Sequence, residues 1–216
     1  MHMFKHVIFD LDGTLTDPGI GITRSIQYAL GKFNIQASAE SLYKFIGPPL
    51  RESFTKYFGF SSEQAEDAVA WYREYFSETG IFENTVYPGI PELLSGLQKR
   101  GCMVYLATTK PLVYAERILV HFDIRRYFDG LSGSRLDGTN GDKSELIAGI
   151  ISGNSISDPM TAVMVGDRKY DIEGAKNNGV ASIAVGYGYG EPGELAEAAP
   201  DFTASSVAEL SLILAG

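Results

Sequence analysis

The chain has 216 residues, with 27 acidic against 18 basic side chains, a formal net charge of −9, 44% hydrophobic content and a single cysteine. That balance argues against a nucleic-acid polymer as partner, because phosphate backbones are held by grouped lysines and arginines and here the basic residues cluster only in pairs. No apolar run approaches the ~20 residues of a membrane span, one cysteine excludes an internal disulfide, and the length suffices for a sizeable core with a smaller second lobe.

The start, Met1 to His6, runs straight into the first predicted strand, which leaves no room for a signal peptide ahead of a buried element; a cytoplasmic protein is expected. That strand, Val7-Ile8-Phe9, ends in Asp10-Leu11-Asp12-Gly13-Thr14. Two carboxylates one residue apart at the carboxyl end of a buried strand, with a glycine that lets the backbone turn back, read as a phosphoryl-transfer site. The competing reading, an acidic surface turn, loses ground because three later stretches deliver matching groups.

Asp17-Pro18-Gly19 signals a turn, and Tyr87-Pro88-Gly89-Ile90-Pro91 a second one. Between them the pattern is helical: Ile22, Ile26, Ala29, Leu30 and Phe33 recur at helical spacing, as do Ala65, Val69, Tyr72 and Phe76. The stripe Trp71, Tyr72, Tyr75, Phe76 is read mainly as the internal core of a helical bundle rather than as a substrate platform. Residues 17–87 are therefore expected to form a helical insertion.

Beyond Pro91 helix and strand alternate. A helix over 92–99 stops at Gly101, and a strand over 103–107 ends in Thr108-Thr109-Lys110-Pro111. A helix over 113–122, a short strand near 128–132 and a helix from Ser144 follow. The last stretch holds a strand over 162–165 ending in Gly166-Asp167-Arg168-Lys169-Tyr170-Asp171, a helix over 171–178, a strand over 182–185 and a final helix near 207–214. The alternation means parallel strands with right-handed crossovers. The expected fold is α/β, a doubly wound Rossmann-like parallel sheet formed by 1–16 and 88–216, with a small helical cap, 17–87, inserted after the first strand.

Thr108 brings a hydroxyl to a strand end, and Asp167 with Asp171 brings further oxygen ligands. Lys143 opens a helix, where a cation is disfavoured by ~0.3–1 kcal/mol. Cys102, at the edge of an apolar strand, reads as a packed thiol. Gly186-Tyr187-Gly188-Tyr189-Gly190 is spaced unlike a nucleotide fingerprint and follows a late strand, so it reads as a mobile loop near the active edge.

Together, Asp10-Leu11-Asp12-Gly13-Thr14, Leu106-Ala107-Thr108-Thr109-Lys110, the lone Lys143 and Val165-Gly166-Asp167-Arg168-Lys169-Tyr170-Asp171 resemble, in order and spacing, the four motifs of the haloacid dehalogenase superfamily. The resemblance implies a magnesium-dependent phosphatase with Asp10 as nucleophile, Asp12 as acid/base, and Thr108 and Lys143 completing the catalytic set. The metal would be held by Asp10, Asp167 and the backbone carbonyl of Asp12. Asp171 ranks below Asp167, as a holder of metal-bound water or an orienter of the loop. An anion attacking an anion needs such help, since unit charges ~4 Å apart at an effective dielectric of ~20 repel by ~4 kcal/mol.

Substrate groups are expected from Thr109 and from the insertion, where Ile46-Gly47-Pro48-Pro49-Leu50-Arg51 is a rigid turn carrying Arg51, with Arg24 and Lys44 as the other candidates. The insertion's placement resembles the helical-cap branch. FIGPPLRESF, YPGIPELL and GYGYG look most like its bacterial 5′-nucleotidase-like members, which implies nucleoside 5′-monophosphates, with phosphoglycolate or another small phosphate ester as the alternative. A phospho-accepting signalling domain without turnover is the reading from another class, and Asp12 counts against it. A monomer or weak homodimer acting on a small phosphate ester is expected, with neither nucleic acid nor membrane as partner.

Overall fold

Val7, Ile8 and Phe9 are apolar at every position because their strand, β1 (His6–Phe9), is covered on both faces. The computed structural model describes residues 4–216. Two compact units divide the chain, one built from the segments up to Thr16 and from Val86 onward, the other from Asp17–Thr85. Two-residue strands, β2 (Thr16–Asp17) and β3 (Thr85–Val86), pair where the chain passes from one unit to the other and returns.

The Asp17–Thr85 unit is helical: α1 (Gly19–Gly31), α2 (Ala39–Leu42), α3 (Leu50–Phe58) and α4 (Ser62–Glu78). Ile22, Ile26, Ala29 and Leu30 of α1 and Ala65, Val69, Tyr72 and Phe76 of α4 are buried, at the positions their spacing predicts. Of the aromatic stripe, Tyr72 and Phe76 stack in the core with ring centres 5.2 Å apart. Trp71 is exposed and lies beneath the Lys32 ammonium, while the Tyr75 hydroxyl donates to Glu83. A reciprocal capping box between Ser61 and Gln64 starts α4. Gly21 lies so close to the chain at Gly80 that a Cβ on it would fall 1.9 Å from the Gly80 carbonyl oxygen.

In the larger unit the order is α5 (Ile90–Lys99), β4 (Met103–Pro111), α6 (Leu112–His121), β5 (Gly130–Ser134), α7 (Lys143–Gly153), β6 (Ala162–Gly166), α8 (Lys169–Asn177), β7 (Ala181–Val185), α9 (Pro192–Ala198), β8 (Phe202–Ala204) and α10 (Val207–Ala215). The six-stranded sheet runs β5-β4-β1-β6-β7-β8, and each neighbouring pair in it is parallel. Ile8 is in register with Tyr105 on one side and Met164 on the other. These three pack with Leu146, Ile147 and Ile150 of α7 and Ala175 of α8. Val7, Phe9, Leu106 and Val165, pointing the opposite way by strand alternation, are buried too. On that side α5 packs on β4 and α10 on α5.

Three features depart from the sequence reading. Strand β4 continues past Ala107 to Pro111, with a register irregularity between Thr108 and Pro111. The short strand β8 and helix α9 were not expected, because three residues are too few for a readable alternation. Instead β8 is secured by Asp201, whose carboxylate accepts from the Ser182 backbone N–H and hydroxyl at 2.9 and 2.8 Å. Cys102 is buried with its sulfur 3.6 Å from the Phe4 carbonyl oxygen, the packed thiol expected. Among the described residues no helix is long and apolar enough to cross a membrane.

Candidate active site

From β1 the chain winds one way to β4 and β5 and the other way to β6, β7 and β8, and in such sheets ligands sit outside the carboxyl ends of the strands at the point of reversal. There Asp10 directly follows β1 and Asp167 directly follows β6, while Thr108 lies in the last part of the adjacent strand β4. The Asp10 N–H donates to the Val165 carbonyl at 2.9 Å, so β1–β6 pairing itself fixes where that residue emerges.

Just beyond, the backbone folds back on itself. Gly13 has φ +85°, and its N–H donates to the Thr16 carbonyl at 2.7 Å. A Cβ at Gly13 would lie 2.2 Å from Asp167 Oδ2, so the residue must be glycine for conformation and for space.

Lys143 is the first residue of α7, after Asp142, whose carboxylate caps the helix by accepting from the Glu145 N–H at 3.1 Å. The Lys143 side chain is buried. Its ammonium lies 2.9 Å from Asp10 Oδ1, 2.9 Å from the Ala107 carbonyl oxygen and 2.7 Å from Asp171 Oδ1. Burial works against its charge, but Asp10 and Asp171 outweigh burial and hold its pKa above the ordinary lysine value. The cation that a helix start disfavours is thus stabilised by two carboxylates.

Asp167 is fully buried. Its Oδ1 accepts from the Thr14 hydroxyl at 3.4 Å and its Oδ2 from the Tyr189 N–H at 2.7 Å. Burial, then Asp10 and Asp171, push its pKa well up. Asp171, on α8, accepts from the Arg168 N–H at 3.0 Å, and burial raises its pKa against the opposing pull of Lys143. Asp10, Asp167 and Asp171 each offer an oxygen within 4.8 Å of the others. Burial first, and then the negative charge of three carboxylates facing one ammonium, raises the pKa of Asp167 and Asp171. A cluster of hard oxygen donors short of positive charge fits a divalent cation.

Asp12 stands apart from that cluster. Its Oδ2 lies 2.6 Å from the Lys110 ammonium in a largely buried ion pair, and its Oδ1 is buried without a hydrogen-bond partner among the described residues. Burial raises its pKa, Lys110 pulls the other way and Asp10 adds to the rise.

Thr108 is buried, its hydroxyl accepting from the Lys110 N–H at 3.3 Å, and Thr109 follows it, partly buried. Arg51 and Lys44 belong to the Asp17–Thr85 unit. There Arg51 Nε pairs with Glu66 at 2.7 Å, and the Lys44 ammonium sits 4.2 Å from the centre of the Tyr57 ring.

Asp171, named in the sequence as a further oxygen ligand, lies in the acidic cluster with Asp10 and Asp167 and is paired with Lys143. Lys110, which directly follows the threonine pair, has no role in the sequence reading; a lysine at the end of a buried strand needs a carboxylate partner, and that need is the available signal. The loop 186–190 is an anchoring device: a Cβ at Gly188 would fall 2.5 Å from Asp167 Cβ, and one at Gly190 1.9 Å from the Asp167 carbonyl oxygen. Tyr187 donates from its hydroxyl to the Thr14 carbonyl at 3.0 Å and meets the Tyr87 ring edge-on. Beyond it, Glu194 accepts from Arg168 Nε and Nη2 at 2.9 and 3.1 Å and from the Lys169 N–H at 2.9 Å, tying α9 to the start of α8.

The chain resembles known proteins over nearly its whole length. A 5′-nucleotidase of Pseudomonas aeruginosa is 45% identical over 212 residues, 98% of this chain and 96% of that protein. A tyrosine-protein kinase, PtkA, of Mycobacterium tuberculosis is 38% identical over 185 residues, 85% of this chain and 62% of that one. A phosphoglycolate phosphatase of Vibrio vulnificus is 32% identical over 218 residues, 95% of this chain and 94% of that one. The crystal structure of a predicted phosphatase from Clostridium acetobutylicum superposes with a TM-score of 0.92 at 45% identity, covering 97% of each chain. The family model described as haloacid dehalogenase-like hydrolase matches residues 7–185, so this chain belongs to that family of hydrolases and stands among its phosphatases.

Proposed function

We propose that the protein is a magnesium-dependent phosphomonoesterase that acts on nucleoside 5′-monophosphates through an aspartyl-phosphate formed on Asp10. One observation carries the reading: two aspartates one residue apart are partnered differently, Asp10 within the charged cluster of Lys143, Asp167 and Asp171, Asp12 outside it with one oxygen unengaged. Such an arrangement suits one carboxylate to attack and the other to move protons. The choice of nucleotide is supported by the 45% identity to a 5′-nucleotidase across 98% of this chain.

In this reading Asp10, Asp167 and the Asp12 backbone carbonyl hold magnesium, with Asp171 alongside. When bound, the cation offsets the repulsion between the Asp10 carboxylate and a phosphate dianion, on the order of 4 kcal/mol for each pair of unit charges ~4 Å apart at an effective dielectric of ~20. Lys143 fixes the orientation of Asp10. An Asp10 oxygen then bonds to phosphorus as the ester P–O bond breaks, and Asp12 gives its proton to the departing oxygen. In the second step Asp12 takes a proton from water, the water oxygen bonds to phosphorus, and the Asp10–phosphorus bond breaks. Thr108 and Thr109 donate to the phosphoryl oxygens. The Asp17–Thr85 unit acts as the cap that selects the substrate, with Arg51 and Lys44 as its cationic groups. The enzyme works in the cytoplasm as a monomer or weak homodimer.

A phosphoglycolate phosphatase reading is supported by the Vibrio vulnificus relative at 32% identity. A domain that keeps its phosphoryl group fits less well, because the unengaged oxygen of Asp12 favours loss of that group to water. The test is phosphate release from a panel of nucleoside monophosphates, sugar phosphates and phosphoglycolate, with magnesium and with chelator. Magnesium-dependent release is expected, fastest on nucleoside 5′-monophosphates. Asp10→Asn should form no phosphoryl adduct by mass spectrometry. Failure of every ester to release phosphate would sink the proposal, and preference for phosphoglycolate would overturn the substrate assignment alone.

A further inference from the structure

We infer that Lys110 is a positioning residue for Asp12, gripping one carboxylate oxygen so that the other is presented for proton transfer. The inference rests on the reading of Asp12 as acid/base and goes beyond it by naming the group that aims it.

The geometry is specific. Lys110 Nζ lies 2.6 Å from Asp12 Oδ2, with the two side chains 6% and 13% exposed. Asp12 Oδ1 is buried and has no hydrogen-bond partner among the described residues. An oxygen of a buried carboxylate is normally given a donor, because leaving it without one is costly. An oxygen left without a donor is one that can itself carry or take a proton, and the cost then has a use. Lys143 cannot serve Asp12 as well, since its ammonium already meets Asp10, Asp171 and the Ala107 carbonyl. Each of the two aspartates therefore has its own lysine, and Lys110 keeps Asp12 from swinging into the acidic cluster.

The fold builds this grip deliberately. Strand β4 passes through its irregularity after Thr108, and the Lys110 N–H bonds the Thr108 hydroxyl, so the two residues are fixed together. Gly133 on β5 lies beside the same stretch; a Cβ there would come 3.0 Å from the Lys110 carbonyl oxygen. Stability alone is a weak reason for the pair, because buried ion pairs commonly do no better than apolar side chains of the same volume.

The experiment uses the magnesium-loaded enzyme and two esters that differ in the need for a proton on the leaving oxygen: a nucleoside 5′-monophosphate, whose alkoxide leaves poorly, and p-nitrophenyl phosphate, whose phenolate leaves unaided. For Lys110→Met, kcat/KM on the nucleotide should fall by about 10²-fold, within the range of general acid catalysis, while on p-nitrophenyl phosphate it falls by less than about tenfold. Because Asp12 also activates water, kcat should fall on both esters, with a burst of p-nitrophenolate as the aspartyl-phosphate accumulates. Lys110→Arg should restore part of the loss. Should Lys110→Met fail to fold, Lys110→Gln and Lys110→Arg carry the same comparison.

Equal loss of kcat/KM on both esters, or a change confined to KM, would overturn the inference and make Lys110 a phosphate-binding or structural group. Asp12→Asn separates the two levels. If it shows the leaving-group bias and the Lys110 variants do not, only the role of Lys110 falls; if it shows none, the acid/base reading falls first.

Discussion

Lys143 and Asp10 stand 133 residues apart in the chain, yet their ammonium and carboxylate meet at 2.9 Å in the interior. The contact joins the start of α7 to the end of β1, and Asp171 draws the start of α8 into the same cluster. One cation thereby orders three separately placed elements around the candidate nucleophile.

Removing that cation should destabilise the protein and leave it dependent on metal. In Lys143→Met two buried carboxylates lose their partner, a change that costs roughly 3–5 kcal/mol when one member of a buried pair is deleted. Urea unfolding should show a lowered midpoint in chelator, and magnesium should recover part of the loss by supplying positive charge to Asp10, Asp167 and Asp171. A midpoint equal to wild type in chelator would contradict this account.

The glycines of the 186–190 loop make a second prediction. Gly188 lets the loop lie against Asp167; a Cβ would come 2.4 Å from the Gly13 carbonyl oxygen and 2.5 Å from Asp167 Oδ2. Gly188→Ala should displace that carboxylate and weaken magnesium binding by about 10- to 100-fold, as disturbance of groups behind a metal ligand typically does. The rise in melting temperature with added magnesium measures this without turnover. Gly153→Ala, where a Cβ has nothing within 4 Å, is the control. Identical magnesium titrations for the two variants would refute the loop's role.

Much of this architecture is legible in the sequence. Residues 7–9, 104–107 and 162–165 are apolar without interruption, which marks central parallel strands, and each run ends in a group that carries chemistry. The loop 186–190 lies beside Asp167, at the active edge expected for it, but the packing of its glycines is not legible: glycines that permit mobility and glycines that permit close approach look the same in a sequence. Strand β8 and helix α9 are not legible because they are too short for an apolar period to show, although Leu195 and Ala198 of α9 pack with Ile172 and Ala184 beside the polar anchors Asp201 and Glu194. Lys110 was hidden in plain view, since its meaning depends on Asp12 coming within 2.6 Å across the sheet.

The Glu194 anchor gives a pH dependence whose sign follows from its partners. Burial pushes the Glu194 pKa up, but Arg168 and the Lys169 N–H outweigh it and hold the group below its ordinary value of 4.5. A depressed folded-state pKa contributes stability that is present above the unfolded value and is lost as pH falls through the folded one. The melting temperature of wild type should therefore exceed that of Glu194→Gln near neutral pH, and the gap should close as pH drops below 4.5. A gap that stays constant down to about pH 3 would mean that the carboxylate charge contributes nothing.

Arg51 offers a test in which stability and specificity separate. Its guanidinium pairs with Glu66 at 2.7 Å, but both side chains are about half exposed, so solvent screens the pair and its contribution to stability is at most ~0.2–1 kcal/mol. Arg51→Ala and Glu66→Ala should thus melt within a few degrees of wild type. Their kinetics should differ. If Arg51 selects the substrate, Arg51→Ala raises KM for nucleoside 5′-monophosphates by about tenfold, the loss of ~1.4 kcal/mol of binding, and spares p-nitrophenyl phosphate. Glu66→Ala leaves Arg51 charged and released from its partner, and should hold or improve nucleotide binding. Equal rates for wild type and Arg51→Ala on every ester would remove Arg51 from substrate selection and reduce it to a tie between α3 and α4.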